Sequence, residues 1–479
     1  MLRVFLVKSL ILLVVIMIKL YYIQRRTVMR DIVYYDLNPS QEVVKLQCKY
    51  TLFKRVINIL TSATANKEID IEVMTNALYK IIERNDCLRL RFVKKNGKLM
   101  QYFVDQENIE KKPVPYIEFE TEEKQNEFFE GLRKRPIDYM NGVVVEPYFC
   151  KTHDNKFMIV LKVCHLILDI YGINNIYKDL FEVYDALIEG KELPSRPAKF
   201  EDVVIKDLAA KNNSEIKKRN TEFFTKYLTE KENPYYAGIH GANEPIYQKQ
   251  LKKGRHTSRM FFIKNDTQGH MYHIDGELVS RAVDYCKETR CSVSNFFFYT
   301  MSICASKLNN NVKNMLPLEL CNCRGTMTEK KTAGTKAQSV ACYTVVDGER
   351  SFEENLLDFS KEQSNLYRYI GFSDQEFQML LHKIYKEPLM NTFYSLAFSF
   401  IPIQKSKDFD VQVYSNGKCA LPAYVALMWD INSNDIDVIY DCYKKTHTAE
   451  DVQRFHKAYV NIIEQVLNNN KIMVKDIEV

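Results

Sequence analysis

A histidine and an aspartate four residues apart, His165 and Asp169, stand in the octapeptide His-Leu-Ile-Leu-Asp-Ile-Tyr-Gly that ends at Gly172. An imidazole with an ordinary pKa of ~6.5 can take a proton from an attacking group near neutral pH, and such help is typically worth ~100- to 10,000-fold in rate. The same ring can instead orient a nucleophile or donate to a developing oxyanion. An aspartate one turn further on can point inward and anchor the turn.

Two flanking patterns must hold these side chains. Phe157 to Val163 is a mostly apolar run suited to a strand inside a sheet. After the motif, Ile173, Ile176, Leu180, Tyr184 and Leu187 recur at helical spacing, and Gly190 supplies a stop. The motif therefore falls on a strand-to-helix turn. Spacing alone is weak, because His447 and Asp451 repeat it; there Asp451 fits the first turn of a final helix spanning 448–468, where a carboxylate favours the helix dipole.

Ile71, Met74, Leu78 and Ile81 predict another helix, followed by an alternating run from Leu88 to Phe92, an Asn96-Gly97 hairpin and a return strand from Leu99 to Val104. Pro194, Pro197, a charged helix from Lys211 to Thr229 and the turn-rich segments at 233 and 241–245 mark a connecting region. Beyond it the sequence predicts helices near 277–287 and 293–308, strands near 395–401 and 424–429, and a turn at Asn416-Gly417. The division expected is 29–205, a connection over 206–255, and 256–479.

Length and composition set the class: 479 residues, 46% hydrophobic and 27% charged, exceed one ordinary core. The net charge of +6 is not gathered into a stripe, so nucleic-acid binding is not indicated. The 12 cysteines are scattered without zinc-finger spacing, which fits a reducing compartment. His270, His273 and Asp275 are read as surface-loop residues rather than metal ligands, and Cys321 and Cys323 as strand-end packing. Residues 1–28 stand apart. An apolar span from Val4 to Ile23 is close to the ~20 residues a membrane helix needs, and the arginines after it would leave the body in the cytoplasm, anchored to the membrane face. The alternative is that translation starts at Met17 or Met29.

Taken in order, the motifs resemble those of condensation domains of nonribosomal peptide synthetases, within the chloramphenicol-acetyltransferase-like acyltransferases, from about Val33 to Val479. Leu37-Asn-Pro-Ser-Gln41 resembles the opening Ser-x-Ala-Gln motif, and Arg84-Asn-Asp-Cys-Leu-Arg-Leu-Arg-Phe92 the Arg-His-Glu-x-Leu-Arg-Thr-x-Phe motif. Val163 to Asp169 is similar to the active-site motif HHxxxDG, with Cys164 at the first histidine, Ile170 at the glycine and Gly172 two places late. Lys199 to Val203, Asn322-Cys-Arg-Gly325 and Gly334 resemble later elements, whereas the family's acidic-aromatic motif is not recognisable.

The resemblance implies an α+β fold of two chloramphenicol-acetyltransferase-like lobes, each a mixed sheet flanked by helices, with a tunnel between them. It implies that His165 is the catalytic residue and that Asp169 makes an inward salt bridge, for which Arg84 and Arg324 are the candidates. It also implies amide or ester formation from an acyl thioester held on a carrier-protein phosphopantetheine arm or on coenzyme A, with a small amine or alcohol acceptor. The thioester is then substrate, and neither a bound cofactor nor a metal is expected. Two rivals stay open: an acyl-coenzyme A-dependent O- or N-acyltransferase of the same fold, and a non-catalytic relative that serves as a docking platform.

Overall fold

The strand that delivers the motif, Phe157–Cys164, lies at the centre of a five-stranded sheet, antiparallel to Asn58–Ala65 on one side and Val145–Lys151 on the other. Ile159, Leu161 and Val163 face the helices Ile71–Arg84 and Ile170–Glu189, while Met158 and Val160 meet Phe129 and Leu132 of the helix Glu122–Lys134. Both faces are covered, which is why the run is apolar without alternation. Each such side chain, fully buried, stabilises the sheet by ~1.5–3 kcal/mol. The computed structural model describes residues 32–50, 54–260, 265–394 and 396–479. The expected span at residues 4–23 lies outside them, and no helix among the described residues is long and apolar enough to cross a membrane.

A six-stranded mixed sheet organises the second half, in the order Gln338–Ala341, Leu318–Cys321, Ala397–Ile403, Ala423–Asp430, Ile436–Tyr443 and Thr267–Ile274. Its alternation is clean. Ala423, Val425, Leu427, Val438, Tyr440 and Cys442 are buried in the core built with the helices Val293–Leu308 and Ala449–Asn468. Their neighbours in the strands, Tyr424, Ala426, Met428, Ile439 and Asp441, face the other way. The two sheets are tied by one strand that changes sides: Phe409–Tyr414, from the second half of the chain, pairs antiparallel with Asn58–Ala65 and forms the edge of the first-half sheet.

Several expected elements shift. The hairpin is present as Leu90–Lys95 and Lys98–Phe103, with Asn96 at φ 51° and Gly97 at φ 76°, both left-handed as a two-residue turn requires. It joins Tyr35–Asp36 in a separate three-stranded sheet. The charged helix expected from Lys211 to Thr229 is present as Ser214–Thr229, starting where the Asn213 side chain accepts from the N–H groups of Glu215 and Ile216, and a separate helix that was not expected, Phe200–Lys211, precedes it.

His270 and His273 are not in a loop but on the edge strand Thr267–Ile274. Three residues apart on a strand, their rings leave opposite faces and cannot share an ion. His273 instead meets Asp437 at 3.1 Å and Asp435 at 3.5 Å. Among the described residues no three His, Cys, Asp or Glu side chains are grouped to hold a metal.

Candidate active site

The turn after the motif strand is held through its own carbonyls. The Thr335 hydroxyl donates to the His165 carbonyl at 2.7 Å, the Gln41 amide to that of Leu166 at 2.9 Å, and the Thr335 N–H to that of Ile167 at 3.2 Å. The fourth carbonyl, of Leu168, lies 2.9 Å from His165 Nδ1. Every carbonyl from 165 to 168 thus has a donor, so a short buried loop keeps its shape without secondary structure. Gln41 is itself fixed by a reciprocal amide pair with Gln101, at 2.6 and 2.7 Å.

A carbonyl only accepts, so Nδ1 carries the proton of neutral His165 and Nε2 keeps its lone pair. Burial holds the imidazole pKa below its ordinary value, with the Asp169 charge working the other way. The ring is therefore neutral at pH 7. His165 lines a cavity of about 550 Å³ whose walls come from both halves of the chain. Leu46, Asn58 and Ile59 contribute from the first half, and Ile401, Tyr424 and Ile439 from the second.

Asp169 turns away from that cavity. Its two oxygens take Arg324 Nη1 at 2.9 Å and Nη2 at 3.0 Å, together with the N–H groups of Gly172, Lys336 and Ala337 at 2.8 to 3.0 Å. Burial would push the carboxyl up, but the Arg324 guanidinium and these N–H donors hold it below the ordinary carboxylate range. Asp169 is the N-cap of the helix Ile170–Glu189, and Arg324 crosses from the second half to reach it. The carboxylate acts as an anchor and does not touch the ring as a relay.

Arg84 does not share this task. It makes a bidentate pair with Asp179 at 2.9 and 3.3 Å and donates to the carbonyls of Pro194 and Ser195, clamping two helices to the connecting segment. The Arg84-Asn-Asp stretch has a second structural use: the Asp86 carboxylate accepts from the N–H groups of Phe200 and Glu201 and caps a helix whose own cap position, Lys199, has no acceptor. Cys164 is fully buried on the core side, where burial pushes its thiol far up, so it is no nucleophile. Cys321 and Cys323 have their sulfurs 3.5 Å apart, and that contact together with burial raises the Cys321 thiol well above its ordinary value.

The displaced glycine has a reason. A Cβ on Gly172 would stand 1.6 Å from the Ala333 carbonyl oxygen, so the helix and the 333–337 loop approach at this point and not at position 170. Ile170 instead lines the cavity. Thr335, Gln101 and Lys336 were not singled out in the sequence; Lys336 joins the loop to Asp207 at 2.9 Å. Gln41 lies in the opening motif, but nothing in its spacing points to a carbonyl 125 residues away.

Comparison with known proteins agrees with this architecture. The model of the Condensation domain family matches residues 33–479. Over 458 residues the chain is 18% identical to surfactin synthase subunit 2 of Bacillus subtilis strain 168, covering 93% of this chain and 12% of that protein. Over 279 residues it is 22% identical to tyrocidine synthase 3 of Brevibacillus parabrevis, covering 58% of this chain and 4% of that one. The chain thus spans a small fraction of the length of these relatives. A mutant starter condensation domain of rhizomide synthetase RzmA in complex with C8-CoA has a TM-score of 0.77 at 14% identity, covering 93% of this chain and 98% of that one. The first condensation domain of the calcium-dependent antibiotic synthetase, in complex with a substrate analogue, has a TM-score of 0.75 at 13% identity, covering 93% and 99%. These likenesses show the fold of two chloramphenicol-acetyltransferase-like lobes.

Proposed function

The chain belongs to the condensation-domain family, and from that premise we propose that it joins an acyl thioester to an amine or hydroxyl acceptor inside the cavity that His165 lines. One observation carries the reading: Nδ1 is committed to the Leu168 carbonyl, so a neutral ring keeps an Nε2 lone pair for the acceptor. The nucleophile attacks the thioester carbonyl as Nε2 takes its proton or holds it in line. Collapse of the tetrahedral intermediate expels the thiolate, which recovers a proton, and an amide or ester is left.

Two donor forms fit. The likeness to peptide synthetases supports a thioester delivered on a carrier-protein phosphopantetheine arm, and the rhizomide synthetase structure, with its C8-CoA, supports coenzyme A. The protein supplies no cofactor chemistry to this reaction; its residues orient and deprotonate. The pair Asp169–Arg324 serves by fixing the turn, since the carboxylate is taken up by the guanidinium and the N–H groups of Gly172, Lys336 and Ala337.

The experiment is to incubate the chain with acyl-coenzyme A and acyl-carrier thioesters plus amine and alcohol acceptors, and to follow product by mass spectrometry for wild type and His165→Ala. Product lost in the variant supports the reading. Equal product from both removes His165 from the chemistry, and no product with any thioester favours the docking platform.

A further inference from the structure

Three charged side chains line the cavity: Asp374, Lys418 and Asp441. Lys418 is 4% exposed and its Nζ lies 3.0 Å from Asp266, whose carboxylate also meets Arg55 at 3.3 Å. The positive charge of the wall is thus already engaged by a carboxylate behind it. The two aspartates have no such partner: no ion pair to either is present among the described residues, and their contacts are with neutral groups. The lining carries uncompensated negative charge.

Asp441 is the better placed of the two. It stands on the cavity side of the strand Ile436–Tyr443, between Tyr424 and Gly269 of the neighbouring strands and two residues from Ile439. It is 8% exposed; Oδ2 accepts from Ser415 at 2.9 Å, and Oδ1 has no hydrogen-bond partner. The Thr267 hydroxyl, with no close partner of its own, lies near enough to favour the charged carboxylate, as Ser415 does, yet neither hydroxyl offsets a charge. Arg133 acts on Asp441 only at a distance, and it is itself paired with Glu130. A carboxylate so enclosed keeps its charge at a cost that a bound cation removes. Burial pushes its pKa up, and a bound ammonium would bring it down again.

A short path links this carboxylate to the motif turn. Ser415 precedes Asn416, whose amide donates to the carbonyls of Val56 and Asn58 at 3.2 Å, and the intervening Ile57 carbonyl accepts from the His165 N–H at 2.8 Å. We propose that the acceptor is a cationic amine, a small molecule carrying an ammonium group that Asp441 receives while its nucleophilic end reaches His165. This rests on the acyl-transfer reading above, but the binding site itself needs no acyl donor.

The test is a saturation-transfer NMR titration of the full chain with 1,4-diaminobutane and, matched in length but uncharged, 1,4-butanediol. Wild type and His165→Ala should bind the diamine at least about 10-fold more tightly than the diol, the scale of one charge-assisted hydrogen bond. Asp441→Asn, near-isosteric, should reduce the preference to less than about 2-fold; Asp441→Ser serves if the amide variant does not fold. No preference in wild type, a preference kept without Asp441, or one lost only in Asp374→Asn would each overturn the proposal. Because His165→Ala must retain the preference, failure of acyl transfer and failure of cation binding are read separately.

Discussion

His165–Asp169 and His447–Asp451 have the same spacing, but His165 Nδ1 meets the Leu168 carbonyl at 2.9 Å, whereas His447 Nδ1 meets the Thr446 hydroxyl at 2.9 Å and the Tyr443 carbonyl at 3.4 Å. Both stand just before a helix. Asp169, however, is the N-cap itself, and its second oxygen is free to take Arg324 and two loop N–H groups. Asp451 sits three residues into its helix, where it completes a capping box with Thr448 and meets the half-exposed Arg454. His165 opens on the cavity, whereas His447 Nε2 is buried with no partner. What separates a site from a cap is the register of the aspartate against the helix start and what lies across from the ring.

The largest break in this comparison should come from the histidines. His165→Ala is expected to reduce product formation by ~100- to 10,000-fold, and His447→Ala to leave it within ~2-fold, in rates measured by mass spectrometry. Next come the arginines: Arg324→Ala leaves Asp169 charged and buried and should cost ~3–5 kcal/mol in urea unfolding, while Arg454→Ala should stay within ~0.5 kcal/mol. A larger effect at Arg454 would erase the distinction between anchor and cap.

Acid sharpens the contrast further. Burial lowers the His447 pKa to about 4. Its folded value lies below the unfolded ~6.5, so its stabilising contribution is complete above ~6.5 and is lost as pH falls toward 4. Between pH 7 and pH 5 the loss is on the order of 2 kcal/mol. Between these values wild type should lose on the order of 2 kcal/mol more than His447→Gln in unfolding measurements, since the buried His456, also lowered to about 4, gives both proteins a common slope. Smallest is the cap: Thr448→Ala should cost ~1 kcal/mol without changing product formation.

Legibility in the sequence followed the range of the contact. The helix after the motif, its stop at Gly190 and the first-turn place of Asp451 depend on neighbours a few residues away, and each is present. Arg324 was proposed for Asp169 through family likeness; 155 residues separate them, and spacing says nothing about it. Arg84 failed for the same reason in reverse, because its place on its helix aims it at Asp179 on the flank of the motif helix. Asp441 lies on Ile436–Tyr443, a strand not among those expected from the sequence, and its alternation of Asp437, Ile439 and Asp441 with Val438 and Tyr440 is that of any half-buried strand. A cavity wall and a solvent face share one alternation, and only the other lobe turns the second into the first.

The strand that changes sides carries a consequence for synthesis. Tyr414 meets Ser62 across 352 residues of chain. While the polypeptide leaves the ribosome, the edge of Asn58–Ala65 therefore stays open until a strand some 352 residues further along has emerged. An unpaired edge of that kind is prone to pair with another nascent copy, and its late closure is a slow, non-local step. A protease cut in the connecting segment of the finished molecule would likewise leave the two pieces bound to each other, held by a strand that one half lends to the other.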